Sequence, residues 1–157
     1  MITLIAKFLA ALNANSRPGE AAAGFACGIL LALVPADNLL WILLFTVFFF
    51  LRLHLATMIL TTVVFKLFIG AADPIIDALG LWILQLPRLE PLFIRAINTP
   101  VLPFLKFNNT LVMGGCAVGI LLWVPSFLVG RRLVLLYRRR IRDRLASSKL
   151  VKFFEKT

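Results

Sequence analysis

The residues predict an all-α integral membrane protein with several spans, and three observations carry that expectation. Hydrophobic residues make up 61% of the 157, with a mean hydropathy of +0.97, more apolar surface than a water-soluble fold of this size buries. Two apolar runs, 21–34 and 39–51, are split by Pro35-Ala36-Asp37-Asn38. The charge is lopsided. Residues 131–157 hold ten Lys/Arg against Asp143 and Glu155, a net of +8, leaving +2 of the total +10 for the rest.

Each apolar run makes a helix of roughly 20 Å, short of the ~30 Å hydrocarbon core. Together with Pro18 they predict a helical hairpin over 18–53, entering the bilayer and turning back near Pro35. A turn within lipid must have its backbone polar groups satisfied by surrounding protein. Ahead of the hairpin, Ile2, Ile5, Leu9 and Leu12 recur at helical spacing, so 1–15 reads as an interfacial amphipathic helix. Lys7 and the apolar run up to Cys27 imitate a lipoprotein signal, but Leu is missing three residues before the cysteine and apolar sequence continues beyond it. No cleavage is expected. Ser16 and Pro18 are the expected N-cap and early helical residue of the first arm.

After Arg52, residues 54–72 read as a full-length span containing Lys66, and Asp73-Pro74 as an N-cap with proline at the first helical position. Residues 73–106 form an outer interfacial segment. Its first helix carries an apolar stripe of Ile75/Ile76, Leu79, Trp82/Ile83 and Leu86, and a short helix over 92–98 lies among Pro87, Pro91, Pro100 and Pro103. Residues 108–130 form the last span, kinked at Pro125, and 131–157 a basic tail helix with Leu133, Tyr137, Ile141 and Leu145 as its apolar stripe. The basic tail places both termini in the cytoplasm and 73–106 outside. Arg131, Arg132, Arg138, Arg139 and Arg140 suit an anionic lipid surface. Nucleic acid is not an expected partner, since no binding module is recognisable.

Gly24-x-x-x-Gly28 and Gly115-x-x-x-Gly119 are small-residue faces for close helix approach. They sit in matching stretches, GFACGILLALVP at 24–35 and GCAVGILLWVP at 115–125, expected to run in opposite directions and to pack on each other. An inverted repeat is the transporter pattern, while chance similarity among membrane helices is the other reading. Asp37, Asn38, Lys66, Asn108 and Asn109 gather at similar depth and suggest an outward polar patch for a lipid headgroup or a partner's polar residue. The competing reading makes Asp37 and Asn38 turn formers, Asn108 a cap and Lys66 a snorkelling side chain.

Asp73 and Asp77, one turn apart, have spacing for acid/base work or a metal, but suit helix capping better. Cys27 and Cys116 read as small core residues. No catalytic motif is present, so neither an enzyme, a cofactor nor a metal is expected.

The 18–41 segment PGEAAAGFACGILLALVPADNLLW, Phe65-Lys66, Asp73-Pro74, Asn98-Thr99-Pro100, Pro103-Phe104 and Phe107-Asn108-Asn109-Thr110-Leu111-Val112-Met113-Gly114 resemble a family of small bacterial inner-membrane proteins related to domain of unknown function 2062. The likeness covers most of 1–135. It implies bacteria with outer membranes and a gene often paired with one for a larger envelope protein. From that pairing follow the expected partners, a larger periplasmic or single-span envelope protein and phospholipid, and an expected role as a non-enzymatic subunit assisting lipid traffic between the membranes. A small homo-oligomeric transporter or channel is the alternative.

Overall fold

In a computed structural model of the chain, which describes residues 17–147, every regular element is helical. In order these are α1 (Pro18–Leu33), α2 (Leu39–Phe50), α3 (Leu55–Ile69), α4 (Asp73–Leu84), α5 (Glu90–Ile97), a 3-10 turn (Leu102–Leu105) and α6 (Thr110–Ser147). The interfacial helix expected over 1–15 and the end of the basic tail lie outside the described residues.

Helix α1 is the hub. Twelve of its sixteen residues are buried, so it is covered on every side, chiefly by α3 and α6. Pro18 occupies the first turn, where its missing N–H costs nothing. The N-cap is Arg17 rather than the expected Ser16, and the Glu20 carboxylate accepts from the Arg17 backbone N–H at 3.4 Å. The helix stops at Val34, which is extended (φ −89°, ψ 131°), as the residue before a proline prefers.

Helices α1 and α2 meet at the expected break, but their axes do not pack closely. Trp41, Leu44 and Phe48 of α2 reach across to Leu30, Leu31 and Val34, and side chains of that length hold the backbones apart. Close approach occurs instead where glycine allows it. Gly24 and Gly28 lie against α3, and a Cβ there would stand 2.7 Å from the His54 carbonyl oxygen or 2.6 Å from that of Met58. Gly115 and Gly119 lie against Leu33 and Leu30 of α1. The two small-residue faces therefore do not pack on each other as expected: one lies under α3, the other under the opposite end of α1. The echoed stretches do run antiparallel, with Gly115 beside Leu33 and Val134 beside Ala21.

The span expected over 54–72 is a helix of 15 residues ending at Ile69, about 22 Å long at the helical rise. It does not continue because Pro74 has no N–H to donate to the Gly70 carbonyl. The chain turns through 93° into α4. Ala72, not Asp73, is the N-cap there, with no side-chain capping bond. The buried face of α4 is Ile76 and Gly80, whereas Ile75, Leu79 and Trp82 of the expected stripe are exposed. Gly80 meets the Thr110 carbonyl and Gly114 the Ile76 carbonyl, so α4 lies on α6 through backbone contact.

Helix α6 has 38 residues and includes Pro125. Its stretch 110–139 is long and apolar enough to cross a membrane. Near the end of that stretch, Val134 rather than Leu133 turns inward: Val134 is fully buried against Ala21 and Tyr137, and Leu133 is exposed.

Candidate functional site

The far end of α1 from Pro18 is where the polar groups converge. A helix end leaves its last carbonyls without intrahelical partners, and here two of them are taken up by side chains from other helices and the next carbonyl, in the turn, by the turn's own Asn38. The Trp41 indole N–H donates to the Leu31 carbonyl at 2.9 Å. The Lys66 ammonium donates to the Val34 carbonyl at 3.1 Å. The Asn38 amide donates to the Pro35 carbonyl at 2.7 Å, while its Oδ1 accepts from the Trp41 backbone N–H at 2.8 Å and caps α2. Side chains thus take up carbonyls at the break between the first two helices, as chain reversal in or beside a bilayer requires of its polar groups.

Asp37 and Asn38 divide the work. Asn38 is buried, at 5% exposure. Asp37 points outward and pairs with Lys106 at 2.7 Å. That hydrogen bond, and then the ammonium charge, hold the Asp37 carboxyl below its ordinary value, with Lys66 adding a smaller pull. Lys106 follows the 3-10 turn in the left-handed region (φ 53°, ψ 34°), a conformation that favours glycine. Lys106 and Trp41 were not readable as site residues, because a left-handed lysine and an indole–carbonyl bond leave no sequence pattern.

The expected five-residue patch is therefore split. Asp37, Asn38 and Lys66 surround the turn. Asn109 instead caps α6, accepting from the Val112 N–H at 3.1 Å, and Asn108 lines a small pocket with Phe93, Ile97 and Phe107 under α5. The Asp77 carboxylate accepts from the Thr110 hydroxyl. Asp73, with Lys66, Pro35 and Leu111, lines a cavity of about 160 Å³. An open cleft of about 650 Å³ lies on the other side of the turn, between Ala36–Ile42 and Pro103–Lys106.

The bundle is electrically polarised along α1. Exposed Arg17 stands at its start, and Arg52 is drawn there by the bond from the His54 N–H to the Glu20 carbonyl, 3.1 Å. Arg131 and Arg132, both exposed, flank the Ala21–Val134 contact, followed by Arg138, Arg139 and Arg140 on the same helix. Asp37, Asp73 and Asp77 belong to the opposite end, alongside Lys66 and Lys106.

No family model matches the chain, and no solved structure matches it. It is similar to an uncharacterized protein of Treponema pallidum (strain Nichols), at 38% identity over 138 residues, which is 88% of this chain and 85% of that protein.

Proposed function

The chain belongs to the same family as that Treponema pallidum protein, and within that family we propose that it is a multi-pass, non-enzymatic subunit of the bacterial inner membrane. Both termini lie in the cytoplasm. The subunit docks a larger envelope partner and gives phospholipid access to it.

The observation that carries the reading is α2. The helix reads LLWILLFTVFFF, buries only Leu40, and leaves Leu39, Ile42, Leu43, Val47, Phe49 and Phe50 exposed. Its 12 residues make about 18 Å, too short to span a bilayer alone. Apolar on all sides and incompletely covered, it calls for lipid or another protein's apolar helix against it. The polarity along α1 supports the orientation, because the arginine-rich end satisfies the positive-inside rule. The likeness to proteins related to domain of unknown function 2062 supports the envelope partner and the lipid role. The antiparallel echo favours the second reading, a homo-oligomeric transporter.

Photo-crosslinking from position 47 in α2, in native membranes, separates them. A single adduct with a protein carrying a periplasmic domain, co-purifying at fixed stoichiometry, is expected. An adduct only with a second copy of the chain supports the transporter.

A further inference from the structure

The Asp37–Lys106 pair joins residues 69 positions apart and is solvent-facing, with the side chains 70% and 44% exposed. Exposed ion pairs add little stability, so holding the fold together does not explain this one. Lys106 also occupies a left-handed position after a 3-10 turn, where glycine would sit without strain. Keeping a cation at that point costs backbone freedom, and such outliers gather at ligand-binding positions. The pair stands on the lip of the 650 Å³ cleft, whose walls are Leu39, Ile42, Pro103 and Phe104. Ile42 and Phe104 are 54% and 68% exposed.

An anion acceptor and a cation acceptor, side by side above an apolar trough, match a ligand with a phosphate diester, an ammonium group and acyl chains. The internal pair would open and each member take the opposite charge of the headgroup, so no charge is left alone. Asp37 also sets the kind of ammonium. A carboxylate gains most from a cation with N–H donors, which a primary amine has and a trimethylammonium lacks. An anionic headgroup without an amine meets Asp37 as a like charge.

We propose that the Asp37–Lys106 cleft binds the headgroup of an ethanolamine phospholipid, the phosphate on Lys106 and the ammonium on Asp37, with an acyl chain along Ile42 and Phe104. The inference rests on the reading above that this end of the bundle meets the outer lipid surface.

The test is lipid retention by the purified full-length chain, delipidated and titrated with phosphatidylethanolamine, phosphatidylcholine or phosphatidylglycerol in native mass spectrometry. The wild type should prefer the ethanolamine lipid by about tenfold, the equivalent of one charge-assisted bond. Asp37→Asn should abolish that preference while keeping phosphatidylglycerol. Lys106→Gln should weaken all three, and the exchanged pair D37K/K106D should restore the preference. Soluble phosphoethanolamine should compete only weakly, since it lacks the acyl chain. Equal retention of the three lipids by wild type, or an unchanged preference in folded Asp37→Asn, overturns the proposal, as does full competition by phosphoethanolamine. Periplasmic labelling of a cysteine at position 99, exposed and outside the cleft, separates the two levels. If it labels and no preference is found, the headgroup site alone falls. If it does not label, the underlying orientation falls with it.

Discussion

The Lys66 ammonium, near the end of α3, donates to the carbonyl of Val34, the C-cap of α1, at 3.1 Å. Val34 is fully buried, so its carbonyl has no solvent to fall back on, and a cation at a helix C-terminus also meets the favourable end of the dipole. The one lysine inside the apolar part of α3 is therefore a cap delivered across the bundle.

Replacing Lys66 with Leu or Met leaves that carbonyl unpaired. The expected cost is about 1–3 kcal/mol, that of a buried polar group without a partner. Thermal unfolding in detergent measures it. A melting temperature equal to wild type in both variants would show that the bond does not support the turn.

Gly80 and Gly114 bring the backbones of α4 and α6 into contact. A methyl group at Gly80 meets the Thr110 carbonyl and one at Gly114 meets the Ile76 carbonyl, neither of which can swing aside as a side chain would. Gly80→Ala and Gly114→Ala are each expected to destabilise by about 1–3 kcal/mol or to detach α4. Gly70→Ala, with nothing within 4 Å, should change stability little. Equal melting curves for all three variants contradict the packing.

Asn38 holds two bonds, one to each side of the break. Asn38→Ala should cost about 1–2 kcal/mol through the lost cap and the freed Pro35 carbonyl. Asn38→Ser should recover the part due to the cap. The two-step pattern in unfolding free energy is the check, and identical losses would mean that the cap contributes nothing.

The Asp37 carboxyl titrates below its ordinary value because of Lys106. With the folded-state pKa depressed, the pairing contribution is full above the ordinary carboxylate pKa, near 4, and is lost as pH falls through the lower folded value. Carboxyl NMR shifts of isotope-labelled Asp37 in micelles should give a midpoint below that of an ordinary aspartate. Lys106→Gln should move the midpoint up toward the ordinary value, and a midpoint indifferent to that substitution would remove the ion pair.

Much of this architecture is written in local chemistry. Pro35 ends α1 and Asn38 starts α2 because each acts within its own few residues, and Pro18 and Pro74 mark early helical positions for the same reason. What cannot be read locally is which face meets what. Both GxxxG faces announce close packing, yet nothing in either names its partner, and Gly24 and Gly28 turned to α3 rather than to Gly115 and Gly119. The stripe on α4 misleads because both water and lipid accept its exposed side, so Ile75 and Trp82 lie outside while Gly80, a residue without side chain, decides the contact. The polar patch was half visible: Asp37, Asn38 and Lys66 stand near one turn, but the salt-bridge partner of Asp37 is Lys106, brought there by a backbone conformation with no sequence signature.

In the topology proposed above, α1 ends in a reversal, so that the arginine-rich start of α1 and end of α6 share the cytoplasmic face while Asp37 and Lys106 face the periplasm. Single cysteines at position 99, exposed and clear of the proposed lipid cleft, and at position 147, in a chain otherwise free of cysteine, test it most directly with a membrane-impermeant thiol reagent applied to the outer face of intact inner membranes. Labelling at 99 and none at 147 until the membrane is opened is the predicted result. Labelling at 147 in sealed membranes, or protection of 99, contradicts it.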